Sequence, residues 1–135
     1  MTVEQVFDYS TSMSSLVVPP GWPAAVRPPD APQWEVTAES WLLDLSPPEY
    51  RSYPTLRRHV VLLARFAVLH VEAMQAACQR GLSEARGGLR HLAPPDVVDQ
   101  AVQTWLTEDA RLSAVRREVG LVEDALRGAR YRARL

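Results

Sequence analysis

The sequence contains no lysine, no isoleucine and no asparagine, and it has a single cysteine, Cys78. One cysteine excludes an intramolecular disulfide and any zinc or iron–sulfur site built from several cysteines. The three absent residues use A/T-rich codons, and a very GC-rich genome, such as an actinobacterial one, accounts for their loss. All fifteen basic residues are therefore arginine, so arginine content alone is no evidence of phosphate recognition. Charge of one sign is lacking too. The net charge is −1 over 135 residues, which argues against a strongly basic nucleic-acid binder. No uninterrupted apolar run reaches the roughly 18 residues of a membrane span. The start, Met1-Thr2-Val3-Glu4-Gln5, lacks the basic and apolar regions of a secretory signal. The length suits one compact domain. A cytoplasmic protein without membrane association is expected.

What is present is unevenly placed. Six of the eleven prolines lie between Pro19 and Pro32, and proline there rules out helix or central strand. Residues 1–33 are read as a Pro-rich arm, running as polyproline II or an irregular extended path. Leu16, Val17, Val18, Trp22 and Val26 give it more apolar surface than a solvated leader carries, so the arm is expected to dock. Residues 34–135 form the helical domain. Between Trp34 and Tyr53 two short helices are expected. One is capped near Thr37 and carries Trp41, Leu42 and Leu45. The other starts at the capping-box pattern Ser46-Pro47-Pro48-Glu49 and is stopped by Pro54.

From Thr55 the pattern becomes one of long helices. The fold class expected is all-α: a long antiparallel αα-hairpin, about 55–92 and 96–127, turning at Ala93-Pro94-Pro95. Gly87-Gly88 is an alternative early end to the first helix. In that helix Arg58, Arg65, Glu72, Gln79 and Arg86 recur every seven residues as one wet stripe. Nearly everything else from Leu56 to Cys78 is apolar, whereas a helix with one partner shows an apolar stripe of about 100°. A single hairpin partner cannot cover such a helix. The second helix has a conventional seam: Val98, Ala101, Trp105, Leu112, Val115, Val119, Val122 and Leu126. Its step at Glu108, with Asp109 beside it, falls level with about Cys78 to Arg80. A buried ion pair of Arg80 with Glu108 or Asp109 is expected there. Residues 1–50 carry a net charge of −6 and residues 51–135 a net charge of +5, so arm and hairpin should attract.

No catalytic, cofactor or metal residues are assigned. His59 and His70 share a helix face but lie about 16 Å apart, and no Glu-x-x-His or His-x-x-x-His pair exists. Cys78 is expected to be buried and inert. Gly87-Gly88 lacks the spacing and lysine of a phosphate loop. The serine cluster Ser10-Thr11-Ser12-Met13-Ser14-Ser15 has no Gly-x-Ser-x-Gly context. The basic C-terminus places Arg130 and Arg132 with Arg116 and Arg117 as possible anion contacts. The same arginines also suit a helix C-terminus, with Gly128 as its cap.

Asp109, Ser113, Arg116 and Asp124 have a spacing similar to Glu-x3-Ser-x2-Arg-x3-Gln-x3-Asp, the cyclic di-GMP motif of an actinomycete helical-hairpin anti-sigma factor. Gly120 stands where that motif has Gln, Asp109 stands for Glu, and the other helix offers only Ser83 and Arg86. The resemblance spans about sixteen residues, and the chain is not assigned to that family.

The function expected is a non-enzymatic helical assembly or adaptor protein acting through protein–protein interaction. Its apolar hairpin surface would be completed by a second copy, as a homodimer, or by a helical protein of the same host. The interface residues expected are Trp22, Trp34, Trp41, Leu62, Phe66 and Leu69. The alternative is a regulatory hairpin binding a nucleotide or nucleic acid through Arg111, Arg116, Arg117 and the C-terminal arginines.

Overall fold

The computed structural model describes residues 18–129, apart from the side chain of Arg86. The expectations for Leu16, Val17, the serine cluster at 10–15, and Arg130 and Arg132 lie outside the described residues. The described residues form helices and no strand. In chain order they are α1 (Trp34–Asp44), a 3-10 turn (Pro48–Ser52), α2 (Pro54–Arg58), α3 (Val60–Gly88) and α4 (Pro95–Leu126).

The hairpin of α3 and α4 is the body of the molecule. Pro95 stands at the first position of α4, where a missing amide costs nothing. The carbonyl of Pro94 accepts the Val97 and Val98 amides, each at 3.0 Å. At the far end Gly128 takes φ 97°. Its amide donates to Ala125 and the Ala129 amide donates to Asp124, closing the helix in a Schellman motif. The two helices pack antiparallel, as expected. Gln75 Nε2 donates to Ser113 Oγ at 2.7 Å and Arg116 Nε to Glu72 Oε2 at 2.9 Å. Both pairs are symmetric about Pro94, the turn expected from the sequence.

Local details differ from expectation, beginning with α1, which starts at Trp34 and so holds Thr37 inside the helix and not at its cap. The first long helix ends at Gly88 and not near Leu92, which leaves Leu92 exposed; the early stop at Gly87-Gly88 is the one realised. Its start is also later, because the chain bends at His59 (φ −122°, ψ 84°) and separates α2 from α3. The capping box at Ser46 is not formed. Ser46 Oγ instead donates back to the Leu42 carbonyl at 2.7 Å, and Pro47 precedes the 3-10 turn without a side-chain cap. The bond turns the hydroxyl back toward the preceding helix, away from the amides of the next turn.

The described part of the arm, residues 18–33, takes the irregular path and advances by turns. Trp22 donates to the Pro19 carbonyl and Ala31 to that of Pro28. In both turns a proline holds the second position and a residue of positive φ the third, Gly21 at 88° and Asp30 at 72°, the pattern of a type II turn. The arm docks on its own chain. Val26 and Ala31 are buried in one cluster with Trp34, Ala38 and Leu42 of α1 and Val119, Val122 and Ala125 of α4. Trp22 lies against Trp34 with ring centroids 6.4 Å apart, and its Nε1 donates to the Val26 carbonyl at 2.9 Å.

Candidate interaction surface

Helix α3 is built with two apolar faces. One carries Leu63, Ala64, Ala67, Val68, Val71, Cys78 and Ala85, all buried. With 3.6 residues per turn, the opposite side carries Leu62, Phe66, Leu69, Ala73, Ala76 and Ala77, and all six are exposed. Leu62 is 43% exposed, Phe66 46% and Leu69 55%. The open stripe is about 22 Å long at 1.5 Å per residue. Along one side stands Tyr50, its ring edge-on to Phe66 at 5.8 Å and to His70 at 6.4 Å.

Two of the heptad's charged residues reach across to α4. Arg65 pairs with the buried Glu123 of α4 (3.4 Å), and Glu72 pairs with Arg116. These charges thus flank the α3–α4 seam, and the side opposite the seam is apolar at Leu62, Phe66, Leu69, Ala73, Ala76 and Ala77. An amphipathic helix with one partner carries polar residues there. That apolar side is the central feature of the surface.

The remaining residues singled out from the sequence are placed as follows. Leu62, Phe66 and Leu69 share the open stripe. Trp34 is buried in the core, while Trp22 and Trp41 pack part-buried against it, so these three serve the chain's own fold. A tryptophan already seated in its own core has little surface to offer another chain. The buried ion pair of Arg80 with Glu108 or Asp109 does not form. Arg80 pairs with Glu84 on its own helix at 2.7 Å and is 81% exposed. Glu108 is held by Arg111 at 2.6 Å, which lowers its pKa. The register is the expected one, but Arg80 continues the open stripe and points away from α4. Asp109 keeps one carboxylate oxygen buried without a hydrogen-bond partner. What meets α4 at this level is Cys78 and Gly81. Cys78 is buried, and burial, with Glu108 and Asp109 nearby, raises its thiol pKa. Gly81 lies under the Trp105 indole so closely that a Cβ there would come within 2.6 Å of Cζ2. The sequence signal for that contact was a glycine in a helix facing a tryptophan across the hairpin.

Of the possible anion contacts, Arg116 is taken by Glu72, and Arg111 by Glu108 through two hydrogen bonds. Arg117 lines a shallow groove between arm and α4 together with Glu118 and Asp124. Ser113, part of the spacing shared with the cyclic di-GMP motif, is bonded to Gln75. No group of three or more metal-ligating side chains occurs among the described residues. By length and composition α3 passes as a membrane span, with mean hydropathy 1.5 over an 18-residue window within Val60–Ala85 and 28% of that window buried. The continuous-run criterion misses this because Arg65 and Glu72 interrupt the run. No family model, curated protein or solved structure matches the chain.

Proposed function

We propose that this chain is a non-enzymatic assembly or adaptor protein of the cytoplasm that works by protein–protein contact through the open apolar face of α3. One observation carries the reading. Leu62, Phe66 and Leu69 are each over 40% exposed on a helix whose opposite side is fully packed. Scattered exposed apolar residues are ordinary, whereas a contiguous patch marks an interaction site. The described residues of the arm do not provide the cover, because they dock on α1 and α4. Leucine and phenylalanine in an ordered stripe lose little freedom when a partner buries them, so the face is preorganised for docking.

A photo-crosslinking amino acid at Leu69, compared with one at the exposed Thr107 of α4, tests the reading in the native host. Covalent adducts to protein from position 69 and not from position 107 are expected. Absence of protein adducts at 69, or equal labelling from both positions, would overturn the proposal.

A further inference from the structure

We infer that the occupant of the open α3 face is a second copy of this chain, its α3 laid antiparallel across a two-fold axis at the level of Val71. The inference rests on the interaction reading above and names its partner. The stripe is divided by size. Its N-terminal half holds Leu62, Phe66 and Leu69, and its C-terminal half holds Ala73, Ala76 and Ala77. A helix with bulky residues at one end and small ones at the other is complementary to itself when reversed. Leu69 then faces the partner's Ala73 and Phe66 faces the partner's Ala76, large into small on both sides of the axis. A parallel pairing would set Phe66 on the partner's Phe66 and leave the alanines apart across a gap, with lost dispersion contacts.

Beyond its bulky half the stripe runs on to Arg80, which is held by Glu84 at 2.7 Å. Leu62 then meets the partner's Arg80, whose aliphatic stem covers the leucine while its head stays with Glu84. A two-fold contact of this kind is isologous and closes on itself, so assembly stops at two chains. A lipid surface fits less well. The flank of the stripe carries Arg65, Glu72 and Arg116, and these would have to enter the acyl region with it.

Sedimentation equilibrium of the full chain at micromolar concentration tests the inference, and a mass of two chains is expected. Leu69→Glu, at an exposed position, should keep the helical circular dichroism and weaken the dimer at least about 100-fold, as loss of a central apolar anchor from both sides does. Leu69→Cys mixed with Ala73→Cys should form a disulfide between the two variants under mild oxidation, because the reversed register sets these positions on each other. A parallel dimer would instead cross-link each variant to itself and would overturn the inference. So would a dimer indifferent to Leu69→Glu, or a monomer. A monomer that binds anionic or neutral vesicles would assign the face to lipid. A monomer that still gives protein adducts from position 69 in the host would leave the interaction reading standing with a different partner.

Discussion

Gly81 and Trp105 set the closest approach of the two long helices. Alanine in place of glycine should stabilise a helix by up to about 1 kcal/mol. Here the added methyl group would stand 2.6 Å from Cζ2 and 2.7 Å from Nε1 of Trp105. Such overpacking typically costs about 1–3 kcal/mol, so the clash outweighs the propensity gain. Gly81→Ala should lower stability in urea denaturation and shift the tryptophan emission, and an unchanged midpoint would place Trp105 elsewhere. Cys78 makes a second test at this scale. Its thiol is buried among apolar neighbours, and burial together with Glu108 and Asp109 holds its pKa above the ordinary thiol range. The thiolate is the reactive species. Alkylation at neutral pH should therefore be far slower in the folded chain than in urea. Because the folded pKa is raised, the thiol takes nothing from stability below the ordinary thiol range. Stability falls as pH rises above it, where only the unfolded chain has lost the proton.

Between elements, the interaction to disturb is Glu123, which is 7% exposed and receives Arg65 of α3 and Arg127 just past the end of α4. Removing a buried carboxylate that two arginines address should cost about 1–2 kcal/mol, the lower end applying because both arginines are partly exposed. Glu123→Ala should show this loss in thermal denaturation. Arg80→Leu is the control. Its pair with Glu84 is exposed and local, and pairs of that kind contribute about 0.3–0.5 kcal/mol. A double-mutant cycle of Arg80 with Glu108 should give coupling near zero, since Arg80 faces away from α4. A coupling above about 1 kcal/mol would restore the buried pair that the charge pattern suggests.

For the molecule as a whole, the arm acts as part of the core. Removing residues 1–33 strips Val26 and Ala31 from the cluster and exposes Trp34, Val119 and Val122. Val26 and Trp22 alone represent about 3 kcal/mol of apolar burial, so the truncated chain should melt roughly 10 °C lower. Differential scanning calorimetry reads the change, and an unchanged Tm would make the arm dispensable. Trp22→Ala should reproduce part of the loss.

The helical hairpin, its turn at Pro94-Pro95, its register and its C-terminal glycine cap were determined by the sequence alone, because they depend on local rules. Proline cannot donate an amide, glycine alone adopts positive φ freely, and apolar spacing sets a seam. The excess of apolar surface on α3 was equally legible, since composition around a helix needs no partner to be counted. The bend at His59 was not, for no proline or glycine marks it. The direction of Arg80 was not legible either. Register fixes the level of a residue along the hairpin, but rotation of α3 about its own axis decides which residues at that level meet α4. With apolar residues nearly all round, the sequence leaves that rotation open. Packing decided it by placing Gly81 under Trp105 and Arg65 on Glu123, and so turned Leu62, Phe66 and Leu69 outward.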